Sequence, residues 1–148
     1  MTSMPLLLLL SEGAAGVAAR AQALLLAREL DAPLIGVYLL PTWTAPIADV
    51  PLADAVTQQA FQASARAQAE VLMRTAGAEA SAAGVNWQPL IHPAAQAVPT
   101  LCELAVQRRC RFLIVGTDSH NAVWRLLGGD PVPGLISHAP VPVLVCKP

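Results

Sequence analysis

The sequence predicts an α/β fold: a single-domain, open five-stranded parallel sheet with helices on both faces. Three observations carry that expectation. Short apolar runs bounded by Gly or Pro, such as residues 112–115 before Gly116 and residues 141–146 near the end, have the length and β-branching of buried strands. Longer segments with helical spacing separate them, which is the grammar of α/β crossovers. The 148 residues, 55% of them hydrophobic and 13% charged, amount to one core-rich domain.

The first strand is expected over residues 5–10, continuous in Leu and so covered on both faces, as in a parallel sheet. Ser11-Glu12-Gly13 is its turn. Over residues 14–30 the spacing of Val17, Ala21, Leu24 and Leu25 is helical, with Arg20 and Arg28 on another face. Pro33 stops that helix, and residues 34–40 form strand two. Residues 41–51, with Trp43, Pro46 and Pro51, read as a loop.

A long helix spans residues 53–83, with Phe61, Ala65, Leu72 and Ala76 on one face, a break near Gly77, and Gly84 just past its end. Strand three covers residues 86–91. A helix over 98–108 carries Pro99 in its first turn, where the missing N–H costs nothing. Strand four covers 111–115, a short helix 135–138, and strand five 142–146. There is no internal repeat and no linker, so residues 1–148 form one domain.

Composition excludes several classes. A formal net charge of −1 with no basic block argues against nucleic-acid binding. No apolar run approaches the roughly eighteen residues of a membrane span. The Leu run near the start has no Lys or Arg before it and is too short for a signal peptide, so a buried strand and a cytoplasmic protein are expected. Cys102, Cys110 and Cys146 read as small buried hydrophobes in a reducing compartment. Neither a Ser/His/Asp or Cys/His set nor zinc-ligand spacing is present. His120 is read as a solvated loop residue, His138 as a structural residue capping a short helix and His92 as making no site alone, and the carboxylates Asp118 and Asp130 as loop residues rather than a metal pair. A binding or signalling module is expected, not an enzyme.

The C-terminal third carries a resemblance. An apolar strand ending on Gly116, then Leu126-Leu127-Gly128, then Ser137-His138-Ala139-Pro140-Val141-Pro142-Val143-Leu144-Val145 resembles the signature of the universal stress protein family. With the N-terminal strand and helix also fitting, the resemblance covers nearly the whole chain. It implies a Rossmann-like fold of the adenine nucleotide alpha hydrolase kind and a link to the stress response.

In the ATP-binding members, the resemblance implies, a Gly-x-x-Gly loop after strand four, nine residues, then Gly-Ser or Gly-Thr cradle the phosphates. An Asp after strand one and backbone groups near the end of strand two hold the nucleoside. Here Gly116 and Gly129 match, while Ser119, Asp130 and Ser11 replace the second Gly, the Ser/Thr and the Asp. The candidate cofactor-binding residues are therefore Ser11, Leu39, Gly116, Asp118, Ser119, His120, Gly129 and Asp130. Asp118 and Asp130 put carboxylates where phosphates would lie. A like-charge pair at about 4 Å costs roughly 4 kcal/mol at an effective dielectric near 20, or about three orders of magnitude in affinity. Arg125, His120 or a bound Mg²⁺ would offset part of it.

Pro131, Pro133 and Gly134 fall where the family keeps a regular helix, so that helix is expected to be shortened or displaced. The closing strand is an apolar edge, a liability unless paired. The resemblance implies a homodimer through Pro142 to Cys146, an isologous contact. The expectation is thus a dimeric stress-response module whose nucleotide site is weakened or lost. One alternative is a genuine ATP- or AMP-binding protein using Ser119, Asp130 and Mg²⁺. A second is a ligand-free dimeric scaffold with Trp43 or Trp124 closing the cleft.

Overall fold

The computed structural model describes residues 3–42, 55–117 and 127–148. Its elements run β1 (Leu6–Leu9), α1 (Gly13–Leu30), β2 (Leu34–Pro41), α2 (Ala55–Ala83), β3 (Trp87–Ala94), α3 (Ala97–Gln107), β4 (Leu113–Gly116), α4 (Pro131–His138) and β5 (Val143–Cys146). The strands form one parallel sheet in the order β3-β2-β1-β4-β5. Strand order reverses between β1 and β4, so the crevice beyond their C-terminal ends is where such a sheet collects ligands.

The leucine run of β1 divides between two cores because successive side chains leave opposite faces. Leu6, Leu8 and Leu10 pack with α1 and α2, alongside Leu34, Tyr38 and Ile114. Leu7 and Leu9 join Ile35, Val37, Leu113, Val115, Leu101 and Leu135 on the side of α3 and α4. All of these are at most 4% exposed. Burying each large aliphatic chain contributes about 1.5–3 kcal/mol, and this double-sided burial fixes the register of the central strands.

The sheet side of α1 differs from the stripe of larger residues in its sequence. Ala15, Gly16, Ala19, Ala23 and Ala27 are buried, whereas Val17 and Leu25 are about half exposed. Small residues let the helix axis approach the strands more closely than Val or Leu would. A Cβ on Gly116 would stand 2.6 Å from the Ala15 carbonyl oxygen, so Gly116 is needed for this approach. Arg20, expected away from the core, is 7% exposed and paired with Glu79.

Helix α2 is unbroken at Gly77. The Trp87 indole lies over Gly36 and reaches Gly77, where a Cβ would meet its Nε1 at 3.3 Å. The glycine makes room for the ring rather than ending the helix. Gly84 follows α2 at φ +71°, as a helix-terminating glycine does.

β3 runs three residues further than residue 91, in spite of Pro89 and Pro93. Leu34 N–H donates to the Asn86 carbonyl and Thr42 N–H to that of Ala94, so even-numbered residues of β3 face β2. Pro89 and Pro93 therefore turn their nitrogens outward, where no ladder bond is lost. α4 also starts earlier than the expected 135–138: Pro131 and Pro133 sit in its first turn, where a missing N–H breaks no helical bond.

Candidate functional site

The C-terminal rim is assembled from four segments. After β1, the buried Ser11 sits beneath α1, where a Cβ on Gly16 would overlap the Ser11 carbonyl and stand 3.0 Å from Oγ. Gly116 ends β4 against the same first turn of α1. The structure thus brings Ser11 and Gly116 to one place, the switch point between β1 and β4. Leu39, near the end of β2, is 2% exposed and belongs to the core beside α3, opposite His92 in the ladder.

Gly129 and Asp130 lie on the segment that opens α4. Ala97 N–H, at the start of α3 just beyond β3, donates to the Leu127 carbonyl at 2.9 Å, which anchors this segment to the rim. Gly128 and Gly129 have φ +96° and +97°, conformations that only glycine adopts without strain. Asp130 is the N-cap of α4: its Oδ1 accepts from Val132 N–H at 3.0 Å. Asp118, Ser119, His120, Trp43, Trp124 and Arg125 lie outside the described residues.

Asp130 is turned to its own helix, and Ser11 is buried beneath α1. The sequence reading missed the surroundings of Glu12. A cleft of about 400 Å³ lies between Glu12 and α2, lined by Ser64, Gln68, Val71, Leu72 and Thr75. Burial, and secondarily the Glu12 carboxylate, raise the pKa of the Tyr38 hydroxyl. Tyr38 was not singled out in the sequence, and only the fold sets Glu12 near it.

His92 Nδ1 is 2.7 Å from the Pro93 carbonyl, so as an N–H it donates within its own strand. His138 closes α4, and its carbonyl lies 3.8 Å from Cys102 Sγ. Cys110 and Cys146 are buried, and Cys102 is half-buried. Among the described residues, no three His, Cys, Asp or Glu side chains are grouped to hold a metal, and no helix is long and apolar enough to cross a membrane.

Comparison with known proteins agrees with this architecture. UspA from Lactobacillus plantarum superposes with a TM-score of 0.77 at 19% identity, covering 99% of each chain. The Archaeoglobus fulgidus universal stress protein in complex with dAMP gives 0.67 at 15% identity, over 99% of this chain and 100% of that one. An Arabidopsis thaliana universal stress protein family protein with AMP bound gives 0.65 at 12%, over 98% and 92%. At these identities the structures share the fold. No curated protein matches the sequence. The sequence itself matches the universal stress protein family over residues 7–147, nearly its full length. The chain belongs to the universal stress protein family.

Proposed function

We propose that this chain is a cytoplasmic, dimeric stress-response module that works by binding rather than catalysis, joined through β5 and weak toward adenine nucleotides. The contrast between its two sheet edges carries the reading. On β3, prolines occupy two of the four outward positions, 89 and 93, alternating with Trp87 and Ile91. On β5, Leu113 N–H donates to the Pro142 carbonyl and Thr117 N–H to that of Cys146, so even-numbered residues face β4. Val143 and Val145 therefore turn their N–H and C=O groups outward.

Those outward groups are self-complementary. A two-fold axis at Leu144 sets Val143 opposite the partner's Val145 and pairs both residues fully in antiparallel fashion. Leu144, 37% exposed, borders a groove of about 350 Å³ between β5 and Ala18, Ala21 and Gln22 of α1. Pairing would cover that apolar surface.

Light scattering on the purified chain tests the assembly: a particle of twice the 15.4 kDa chain mass supports it, and a monomer at micromolar concentration sinks it. Thermal-shift titration with ATP, ADP and AMP, with and without Mg²⁺, tests the ligand. A ligand at about 100 times its Kd adds about 2.7 kcal/mol, several degrees for a domain of this size. A flat response at millimolar nucleotide fits this reading.

Relatives with bound dAMP and AMP favour a second reading, a genuine adenine-nucleotide protein using Ser119, Asp130 and Mg²⁺. A clear Mg²⁺-dependent shift selects it.

A further inference from the structure

α3 runs out into three exposed arginines within four residues, Arg108, Arg109 and Arg111, at the pole of the sheet opposite the ligand rim. Each is held by its own backbone hydrogen bond. Arg108 N–H donates to the Leu104 carbonyl at 2.9 Å, Arg109 N–H to that of Val106 at 3.1 Å, and Arg111 N–H to that of Pro5 at 2.8 Å. Between them Cys110 is 2% exposed, and its N–H donates to the Ala105 carbonyl at 2.9 Å. The backbone under the three arginines is therefore pinned, and only their side chains are free to turn. Arg20 and Arg66 have carboxylate partners at 3.2 and 3.9 Å, but among the described residues no carboxylate lies within 4.0 Å of these three.

Arg109 stands at φ +52°. That left-handed conformation is unfavourable for a residue with a Cβ, and glycine is its usual occupant just past a helix. α2 ends in that way, with Gly84 at φ +71°, and α1 ends on Asp31 at φ +50°, a residue type that tolerates it. α3 instead keeps a guanidinium where glycine would relieve the turn. A strained residue with no ion pair in its own fold points to a use outside it. Val106, 61% exposed one turn earlier, sets an apolar surface beside the charge.

We propose that Arg108, Arg109 and Arg111 form a docking platform for an acidic segment of a partner protein, one that carries carboxylates with an apolar residue among them. Guanidinium forks match carboxylates through paired hydrogen bonds, and Val106 meets the apolar side chain. A nucleic acid or an anionic membrane calls for an extended basic surface. Here the chain as a whole carries −1, and the positive charge is local. The platform lies at the far end of the sheet from the crevice, so it serves whether or not the rim takes a nucleotide.

Fluorescence polarisation of a labelled hexapeptide of glutamate and leucine, titrated with the full chain at low salt, tests this. Wild type is expected to bind it, more weakly as salt rises. Arg108→Gln/Arg109→Gly/Arg111→Gln should lose at least about tenfold. One exposed ion pair contributes about two- to fivefold, the loss expected for Arg109→Gly alone. That variant should melt at or above the wild-type temperature, because glycine suits φ +52°. Arg66→Gln/Arg74→Gln, on α2, should bind as wild type does. The proposal is overturned by wild type that ignores the peptide at millimolar concentration, by an equal loss in the α2 variant, or by Arg109→Gly melting lower. A duplex oligonucleotide or phosphatidylserine vesicles bound more tightly than the peptide would overturn the assignment to a protein segment.

Discussion

Arg20 on α1 and Glu79 on α2 meet in a two-contact ion pair, Nε to Oε2 at 3.2 Å and the guanidinium NH2 group to Oε1 at 3.3 Å, across 59 residues of sequence. The arginine side chain is 8% exposed and the carboxylate 39%, so one partner is sealed beneath the helices while the other keeps contact with water. Glu79→Ala leaves a buried guanidinium without its partner. The half-open carboxylate side lowers the cost from the 3–5 kcal/mol of a fully buried pair to about 2 kcal/mol. Thermal unfolding is expected to fall by about 4–8 °C, and by less in the double variant Arg20→Met/Glu79→Leu. A double variant no more stable than Glu79→Ala would remove the ion pair from the account.

Gly16→Ala is expected to be among the more damaging single-atom changes in the protein. Its methyl would run into the Ser11 carbonyl, a backbone atom fixed between β1 and α1. Overpacking of this kind costs about 2–3 kcal/mol. Gly84→Ala meets nothing within 4 Å and bears only the penalty of φ +71°, about 1 kcal/mol. Urea midpoints of the two variants should rank in that order.

Alkaline pH is expected to weaken the fold through a buried thiol. Burial pushes Cys110 from 9.0 up to about 11, against a smaller opposing pull from Arg108. The folded state keeps the proton longer than the unfolded chain does. Its contribution is whole below about pH 9 and disappears as pH rises through 11, a loss of roughly 2–3 kcal/mol. Tyr38, Cys102 and Cys146 are raised by burial and act with the same sign. Cys110→Ala should have a shallower fall in urea stability over that window. An unchanged slope would show that Cys110 is not its source.

Substitution at the β5 edge should separate folding from assembly. Val145→Pro removes an N–H that serves no bond to β4, so far-UV circular dichroism is expected to hold while the dimer is lost. Leu144→Lys should also give monomers, by placing two ammonium groups together on the axis. Gln88→Lys on β3 should leave the mass unchanged. A dimer that survives both β5 changes would place its contact elsewhere.

Much of the fold was legible because strands and helices announce themselves by period. The leucine run within residues 5–10 read as a strand buried on both faces and residues 34–40 as strand two, while the division of β2 between two cores is seen only in the structure. The packing face of α1 was not legible from residue size. Val17, Ala21 and Leu25 recur at helical spacing, yet the sheet takes the alanines, because what limits that contact is backbone approach at Gly116. Strand three was ended at residue 91, short of Pro93, and Pro131 and Pro133 were read as shortening or displacing a helix, although a proline's effect depends on which way the missing N–H points. For β3 it points to solvent, and for α4 it lies in a turn that has no bond to lose.

The rim was legible in part. Gly116 matched a family position, but its contact with Ala15 gives it a packing reason independent of any ligand. Asp130 was read as a charge facing phosphate, whereas the structure gives it a bond to Val132. A side chain's partner two residues away depends on the backbone angles at the cap, which sequence alone did not supply.

The two prolines of β3 have a consequence for how far association can go. A sheet that offers a bonding edge on both sides can add neighbours without limit, as fibrils do. Here Pro89 and Pro93 interrupt one margin, and in the proposed dimer the other is its own complement, so a partner docked on β5 would present only another proline-interrupted margin to the outside. Growth by strand addition is then expected to falter at the first step, because a ladder on β3 would lack a donor at residues 89 and 93.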